Sequence, residues 1–415
     1  MRQAMTEKNV LCALDIGTTK ICAVIGEFDA SVNEYHIRGI GKVGSTGMKN
    51  GVVVDIKSAK ESIEKAIQIA CDKSGIKKIT GVTIGIAGNH IQSYDNEQDI
   101  PIRIDNNKKT TIIKNEDLIK LEAAIRNMNI GIDREIIHII PQQYIINDNM
   151  ITRHPIGMSG NKLKLKAHVI TADSNNVSDL KNCIEQINLN VDTVVLEPLA
   201  SAQAVLTHDQ KSLGVCLIDI GGGTTDITIF KDGYLVSTNI IGYGGQIITR
   251  DIATLAQTSF SEAERIKKEY AFATVKQAKA EGIREFYIKP VNGKKDKALK
   301  SDLLSAYVEA RIREILLLAK EHIKGKKLNA GIVLTGGGSL LRGIDLLAKE
   351  IIGMDAEVGY PIHLSGLERE KFTPDYAMSI GLLQSANENN MKRTPSKASK
   401  STFGSKIKAW LSDLF

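Results

Sequence analysis

Apolar residues along the chain recur with two periods, and the alternation between them outlines the fold. Val10-Leu11-Cys12-Ala13-Leu14 is a short apolar run ending at Asp15; Ile16 to Lys20 reads as a turn, and Ile21 to Ile25 as a second apolar run. Two such runs around a Gly/Thr turn predict a β-hairpin. From about 57 to 73 the period lengthens, with Ile63, Ala66, Ile67 and Ala70 on one helical face, and a strand is predicted at Gly81–Ala87. Residues 88–166 have a different texture. Two polar, loop-like arms flank one amphipathic helix (Asn115 as N-cap, then Leu118, Leu121 and Ile125), followed by a strand at Ile136–Ile146, the pattern of an inserted α+β subdomain.

At Leu213 the opening pattern returns. An apolar run ends at Asp219, Gly221-Gly222-Gly223-Thr224-Thr225 turns, and Asp226-Ile227-Thr228-Ile229-Phe230 runs back. Strand, Asp, turn and strand recur in the same order, so the chain is read as an internal duplication, two similar halves facing each other across a cleft. Residues 260–325 read as a helical, charged insertion in the second half, broken by the turn-rich Pro290–Lys295. Gly331–Ser339 reads as a strand breaking into a glycine turn, and about 376–384 as a helix. The resulting division assigns 1–87 and 167–205 to the first half, 88–166 to its insert, 206–259 and 326–365 to the second half and 260–325 to its insertion. Residues 366–384 form a helix closing on the first half, 385–404 a flexible polar linker and 405–415 a terminal amphipathic helix.

Composition changes this picture in two places. Of 415 residues, 42% are hydrophobic and 25% charged, as in soluble globular proteins, and the five cysteines form no C-x-x-C pair, as expected of reduced, buried thiols in a cytoplasm. No apolar h-region opens the chain and no 18-residue apolar run occurs, so neither a signal peptide nor a spanning helix is expected. The net charge is +6, yet residues 391–415 hold six basic residues against Asp413 alone. The body is therefore near neutral, which argues against a nucleic-acid-binding fold. In the last eleven residues Ile407, Trp410, Leu411 and Leu414 share a helical face with Phe415 at its end, while Lys406 and Lys408 flank it. This is the pattern of an interfacial anchor on anionic lipid, although a terminal helix could also pack back on the core.

The chemistry lies in the turns. Backbone N–H groups approach a phosphate chain most closely where no Cβ intervenes, and threonine hydroxyls add donors. Gly17-Thr18-Thr19-Lys20 and Gly221-Gly222-Gly223-Thr224-Thr225 both offer these groups, and Asp15 and Asp219 can hold hydrated Mg²⁺ between them. Neither the P-loop nor the dinucleotide fingerprint fits, because each turn returns into a strand rather than opening a helix. The histidines show no metal-ligand spacing, and His138, set among isoleucines, reads as core.

These residues resemble the superfamily of actin, the heat-shock ATPase chaperones and the sugar kinases. The resemblance implies a duplicated actin-like (ribonuclease-H-like) α/β ATPase fold, two halves around a nucleotide cleft, with ATP and Mg²⁺ as cofactors. Asp15–Lys20 resembles the first phosphate motif, Glu197–Leu206 the first connecting helix and Asp219–Asp226 the second phosphate motif. Leu334–Ser339, with Gly336, Gly337, Gly338 and Ser339, resembles the adenosine motif, and Ser379–Leu383 the second connecting helix. Glu264 and Lys267 look like the pair that holds adenosine, or form a solvated i,i+3 pair. Glu197, beside Pro198, either positions an attacking water, as the resemblance implies, or serves as a helix N-terminal charge. Slow hydrolysis at most is expected.

Glu135–Tyr144, Pro155–Gly160 and Gly47–Ile56 further resemble the bacterial cell-division FtsA family. That resemblance implies self-assembly into actin-like filaments, recruitment of later division proteins, and attachment of the tubulin-like division protein FtsZ to the cytoplasmic face of the membrane. The FtsZ C-terminal peptide would bind 260–325, where Lys297, Lys300, Arg311 and Arg313 could meet acidic residues, or simply face solvent. A sugar-kinase-like phosphotransferase and an actin-like pilus-assembly protein are the alternative readings.

Overall fold

The computed structural model describes residues 10–103, 111–291, 295–366 and 372–393, with side chains as far as Asn387. The terminal helix expected at 405–415, with Lys406, Ile407, Lys408, Trp410, Leu411, Leu414 and Phe415, lies outside these residues, as does most of the linker. No helix among the described residues is long and apolar enough to cross a membrane.

The first half opens with the expected hairpin, β1 (Val10–Ile16) and β2 (Lys20–Asp29), followed by a strand absent from the sequence reading, β3 (Glu34–Gly44). Helix α1 (Ile56–Ser74) starts where the Asp55 carboxylate accepts the N–H groups of Lys57 and Ser58, and Gly75 ends it in the left-handed region. Strand β4 (Gly81–Ile86) lies parallel to β1.

The insert follows as β5 (Gln92–Pro101), α2 (Asn115–Arg126), β6 (Arg134–Ile146), β7 (Met150–Thr152) and β8 (Lys162–Asp173), with sheet order β7-β6-β8-β5. The polar arms are thus strands rather than loops. β5 is an edge strand with one exposed face, where Glu97 and Asp99 meet Lys166 and Lys162 of β8 at 2.8 and 3.3 Å. Helix α2 begins one residue earlier than predicted. Lys114 occupies the N-cap position, and its N–H is accepted by the Asp117 carboxylate at 2.9 Å. β8 runs on to Asp173, whose carboxylate caps α3 (Ser174–Glu185). β9 (Asn190–Leu196) returns parallel to β4, and α4 (Glu197–Val205) leaves the first half.

The second half repeats this plan. After α5 (His208–Leu213) come β10 (Val215–Ile220), β11 (Thr225–Lys231) and β12 (Tyr234–Ile241), then α6 (Gly245–Ala256). Its insertion comprises α7 (Phe260–Tyr270), α8 (Val275–Ala280), a hairpin of β13 (Glu285–Ile288) and β14 (Lys297–Lys300), and α9 (Ser301–Ile323). The turn predicted to interrupt helices therefore joins two strands. β15 (Ile332–Thr335), α10 (Ile344–Ile352) and β16 (Ala356–Val358) complete the half, and α11 (Ala377–Arg393) packs back on the first.

The duplication is visible in the five strands β9-β4-β1-β2-β3 of the first sheet, to which Leu364–Ser365 adds a sixth beside β3, and in the sheet β12-β11-β10-β15-β16. In both, the first three strands of the half are antiparallel and the last two run parallel to the first. Helices α4 and α11 lie between the sheets in a core that draws Val24, Leu199, Ala202, Leu217, Val333 and Leu383 from both halves. Helix α11 extends nine residues into the segment read as a linker. Ala386 is buried and Ser385 donates to Gln203 Oε1, and once packed a helix propagates at little cost.

The insert has its own core around Leu121, Ile125, Leu163 and Leu165, and reaches across to the second half. Ser93 Oγ donates to the Thr238 carbonyl at 3.4 Å, His168 bridges Asp95 Oδ1 (2.8 Å) and Thr238 Oγ1 (3.4 Å), and Arg153 lies over the Tyr234 ring. Thus β12, an edge strand, is covered by the insert. His138 serves the frame instead: its Nε2 accepts the Leu196 N–H at 2.9 Å, and burial holds its pKa down to about 4, keeping it a neutral acceptor.

Candidate functional site

Each hairpin closes with the same bond, Gly17 N–H to Lys20 O (3.0 Å) and Gly221 N–H to Thr224 O (2.9 Å). The two tips meet across the cleft. A Cβ built on Gly222 would stand 2.4 Å from Thr19 Oγ1, and one on Gly223 2.7 Å from Thr18 Oγ1, so no side chain fits at either glycine. The second tip is oriented by α6, whose Gly245 and Gln246 N–H groups donate to the carbonyls of Gly221 and Gly222, both at 2.8 Å. In a trans peptide C=O and N–H point opposite ways, so the N–H groups of Gly222 and Gly223 are turned away from α6. Among the described residues, these two and the N–H groups of Thr18 and Thr19 have no acceptor. Four free donors at facing tips form an anion cradle. Threonine hydroxyls brace it: Thr18 Oγ1 accepts the Gly51 N–H, and Thr225 Oγ1 donates to the Tyr243 carbonyl.

Beneath the tips lie the strand-end carboxylates. Asp15 is fully buried; its Oδ2 accepts from Lys20 Nζ (3.1 Å) and Ser379 Oγ (3.0 Å), while Oδ1 has no partner. Lys20 also donates to the Asp375 carbonyl; burial works against its charge, but Asp15 beside it drives its pKa up. Asp219 accepts from Ser201 Oγ through Oδ2, and its Oδ1 faces the third glycine segment: a Cβ on Gly336 would lie 2.1 Å from it. Gly336 has φ +79°, from which Gly337–Leu340 turns into a 3₁₀ helix closed by Ser339 Oγ on the Gly336 carbonyl; a Cβ on Gly338 would strike Ile220.

Glu197 starts α4 and lies against Gly85, where a Cβ would stand 2.8 Å from its Cγ. Burial, and then the charges of Asp15, Asp226 and Asp219, push its pKa well up. Burial and Asp219 do the same to Asp226, whose Oδ1 is also without a partner, and burial raises Asp219. The cleft floor is thus acidic and under-compensated, an environment that favours a cation. The orphaned Asp15 Oδ1 and the glycine-lined tips fit Mg²⁺ carried in with a phosphate chain, the metal keeping most of its waters.

Glu264 and Lys267 form an ion pair of 2.7 Å, and Lys267 also donates to the Gly245 carbonyl (3.0 Å) and Thr249 Oγ1 (2.8 Å). The pair is therefore seated on the first turn of α6, behind the second tip, rather than free in solvent. Further into the second-half insertion, Arg311 pairs with Asp251 and Glu314, and Arg313 with Glu309 and Glu350, so both guanidinium groups have carboxylates within the chain. Sequence reasoning passed over Ser201, Thr249 and Asp226 as site residues. Only Asp226 carried a signal, its mirror position to Asp219 across the turn.

Comparison with known proteins follows this geometry. The family described as cell division protein FtsA matches residues 216–381, and the SHS2 domain inserted in FtsA matches residues 88–171. The chain is 36% identical to the cell division protein FtsA of Neisseria meningitidis over 422 residues, covering 99% of each. It is 38% identical to that of Pseudomonas aeruginosa, over 90% of this chain and 88% of the relative, and 31% identical to that of Escherichia coli K12, over 93% and 92%. Among solved structures, the PilM–PilN type IV pilus biogenesis complex aligns with a TM-score of 0.64 at 14% identity, over 91% of this chain and 98% of that one. MreB5 of Spiroplasma citri bound to ADP aligns with 0.55 at 15%, over 94% and 100%. At those identities the structures speak for the actin-like fold alone. The near full-length relatives say more, and with the two family matches they make this chain a member of the cell division protein FtsA family.

Proposed function

We propose that this chain is an ATP-binding scaffold of the division ring, which assembles into actin-like filaments and holds FtsZ at the cytoplasmic face of the membrane. The observation that carries the reading is the pair of facing hairpin tips, with four unpaired N–H donors above buried carboxylates. Gly17–Lys20 and Gly221–Thr225 would hold the phosphates, Gly336–Ser339 with Glu264 and Lys267 the adenosine, and Asp15 and Asp219 the hydrated Mg²⁺. Bound Mg²⁺ supplies charge neutralisation between phosphates and carboxylates. Glu197, buried beside the carboxylates of Asp15, Asp226 and Asp219, would position an attacking water, with slow hydrolysis at most.

The FtsZ C-terminal peptide is assigned to the second-half insertion, later division proteins to the insert at 88–166, and membrane attachment to Lys406–Phe415 on anionic lipid. One short amphipathic helix binds weakly, and many linked in a filament bind with avidity, so assembly would control attachment. The test is co-sedimentation with anionic liposomes of the full chain and of a truncation ending at Gly404, with and without ATP–Mg²⁺. The full chain alone should pellet, and more so with nucleotide. If neither pellets, or nucleotide changes nothing, the scaffold reading fails.

A further inference from the structure

The helices between the sheets, α4 and α11, cross so tightly that a Cβ on Gly381 would lie 1.8 Å from the Ala200 carbonyl oxygen. Two serines flank this crossing. Ser201, next to Ala200, donates to Asp219 Oδ2, and Ser379, two residues before Gly381, donates to Asp15 Oδ2 at 3.0 Å. Both serines are fully buried, as is Asp15.

Each serine reaches a strand-end carboxylate from one helix of the crossing. Ser201 belongs to the helix that ends the first half, yet holds the carboxylate that opens the second. Ser379 belongs to α11, which follows the second-half sheet in the chain but packs back on the first half, and it holds the carboxylate that opens that half. Each serine takes Oδ2, and each Oδ1 is left facing a glycine: Asp15 Oδ1 lies 3.4 Å from a Cβ built on Gly17, and Asp219 Oδ1 2.1 Å from one built on Gly336. A carboxylate fixed at one oxygen cannot rotate about its Cβ–Cγ bond without breaking that hydrogen bond, so its other oxygen is aimed as well.

We propose that Ser201 and Ser379 are positioning residues, each aiming the free oxygen of a strand-end carboxylate into the cation site and tying that aim to the crossing of α4 and α11. The proposal rests on the nucleotide reading above. It predicts that cation binding is sensitive to both hydroxyls, and to Ser201 more than to Ser379, because Lys20 also holds Asp15 Oδ2.

The test uses Ser201→Ala and Ser379→Ala in the full chain, with ATP affinity measured across an Mg²⁺ titration and again in chelator. Ser201→Ala should move the Mg²⁺ midpoint upward by about tenfold, the scale of a hydrogen bond to a charged group, and Ser379→Ala by a smaller factor, while affinity in chelator stays within about twofold in both. Ser→Thr, which keeps the hydroxyl, should restore the midpoint. Equal losses with and without Mg²⁺, or an unmoved midpoint, overturn the proposal. A wild-type chain that binds no nucleotide refutes the nucleotide reading instead, and the pairing is then judged by side-chain carboxyl chemical shifts in the nucleotide-free chain. Ser201→Ala must move the Asp219 resonance and not that of Asp15, and Ser379→Ala the reverse; any other pattern overturns it.

Discussion

The two strand-end carboxylates occupy equivalent places in a duplicated fold and yet live in unequal electrostatic surroundings. Asp15 has the Lys20 ammonium at 3.1 Å. Asp219 has a serine hydroxyl, and among the described residues no cation lies within ion-pair distance. The turn residues account for the difference: the first hairpin ends in Lys20, whereas the second uses three glycines and two threonines, with Asp226 beyond them. Burial without a counter-ion raises Asp219 and Asp226, both in the second half, so unsatisfied negative charge collects on that side of the cleft. Symmetry of backbone therefore does not imply symmetry of charge, and an incoming cation gains most from the second half.

The largest test of this comparison is Gly336→Ala. A methyl 2.1 Å from Asp219 Oδ1, on a residue at φ +79°, should lower stability by about 2–4 kcal/mol and nucleotide affinity by more than about 100-fold. Gly75→Ala, also left-handed but with nothing within 4 Å, should cost only about 1 kcal/mol and leave affinity alone. Urea denaturation and nucleotide titration read both.

Next, Lys20→Met would strip the first carboxylate of its partner and make the halves alike. Because Asp15 is fully buried, a loss of about 2–4 kcal/mol is expected in urea denaturation, with Asp15→Asn in the same chain recovering most of it. A loss below about 0.5 kcal/mol would mean that the pair is not what distinguishes the two halves.

A smaller effect lies in pH. Asp219, Asp226 and Glu197 have folded pKa values above their unfolded ones, so between these values the native state binds more protons, and stability falls as pH rises. The nucleotide-free chain should therefore gain stability on going from about pH 7.5 to about pH 5.5, and Glu197→Gln should flatten that slope while stabilising the neutral form by about 1 kcal/mol. A steeper slope in the variant would contradict the assignment. Smallest of all, Arg153→Ala removes a contact at the rim between the insert and β12, and should cost about 0.5 kcal/mol while speeding amide exchange along Tyr234–Ile241.

Much of this architecture was legible because local pattern and tertiary role coincide. The hairpins at Asp15 and Asp219 are contiguous, their turns are made of residues that turns require, and the repeat exposes the duplication. The strand β3 was hidden for a specific reason. Its inward positions include Gly39 and Gly41, where a Cβ would lie 2.3 and 1.8 Å from the Ala70 and Ala66 carbonyl oxygens of α1, so close packing erased the apolar alternation that marks a strand. β5 was hidden by the opposite cause, a polar edge whose ion pairs with β8 no local window can show. The serine–carboxylate pairs join residues 18 and 364 positions apart, and nothing in the spacing announces either.

The contact between the insert and β12 bears on how the molecule can move. The two halves are joined at the base by the crossing of α4 and α11, and again at the side through Ser93 and His168 on Thr238. A linkage closed at two points is a loop rather than a pair of jaws, and a loop has no free swing. Rotation about the helix crossing must shear the side contact or carry the insert along as a lever, so a sub-ångström adjustment at the hairpin tips is delivered, amplified by the lever's length, to the outer surface of the insert.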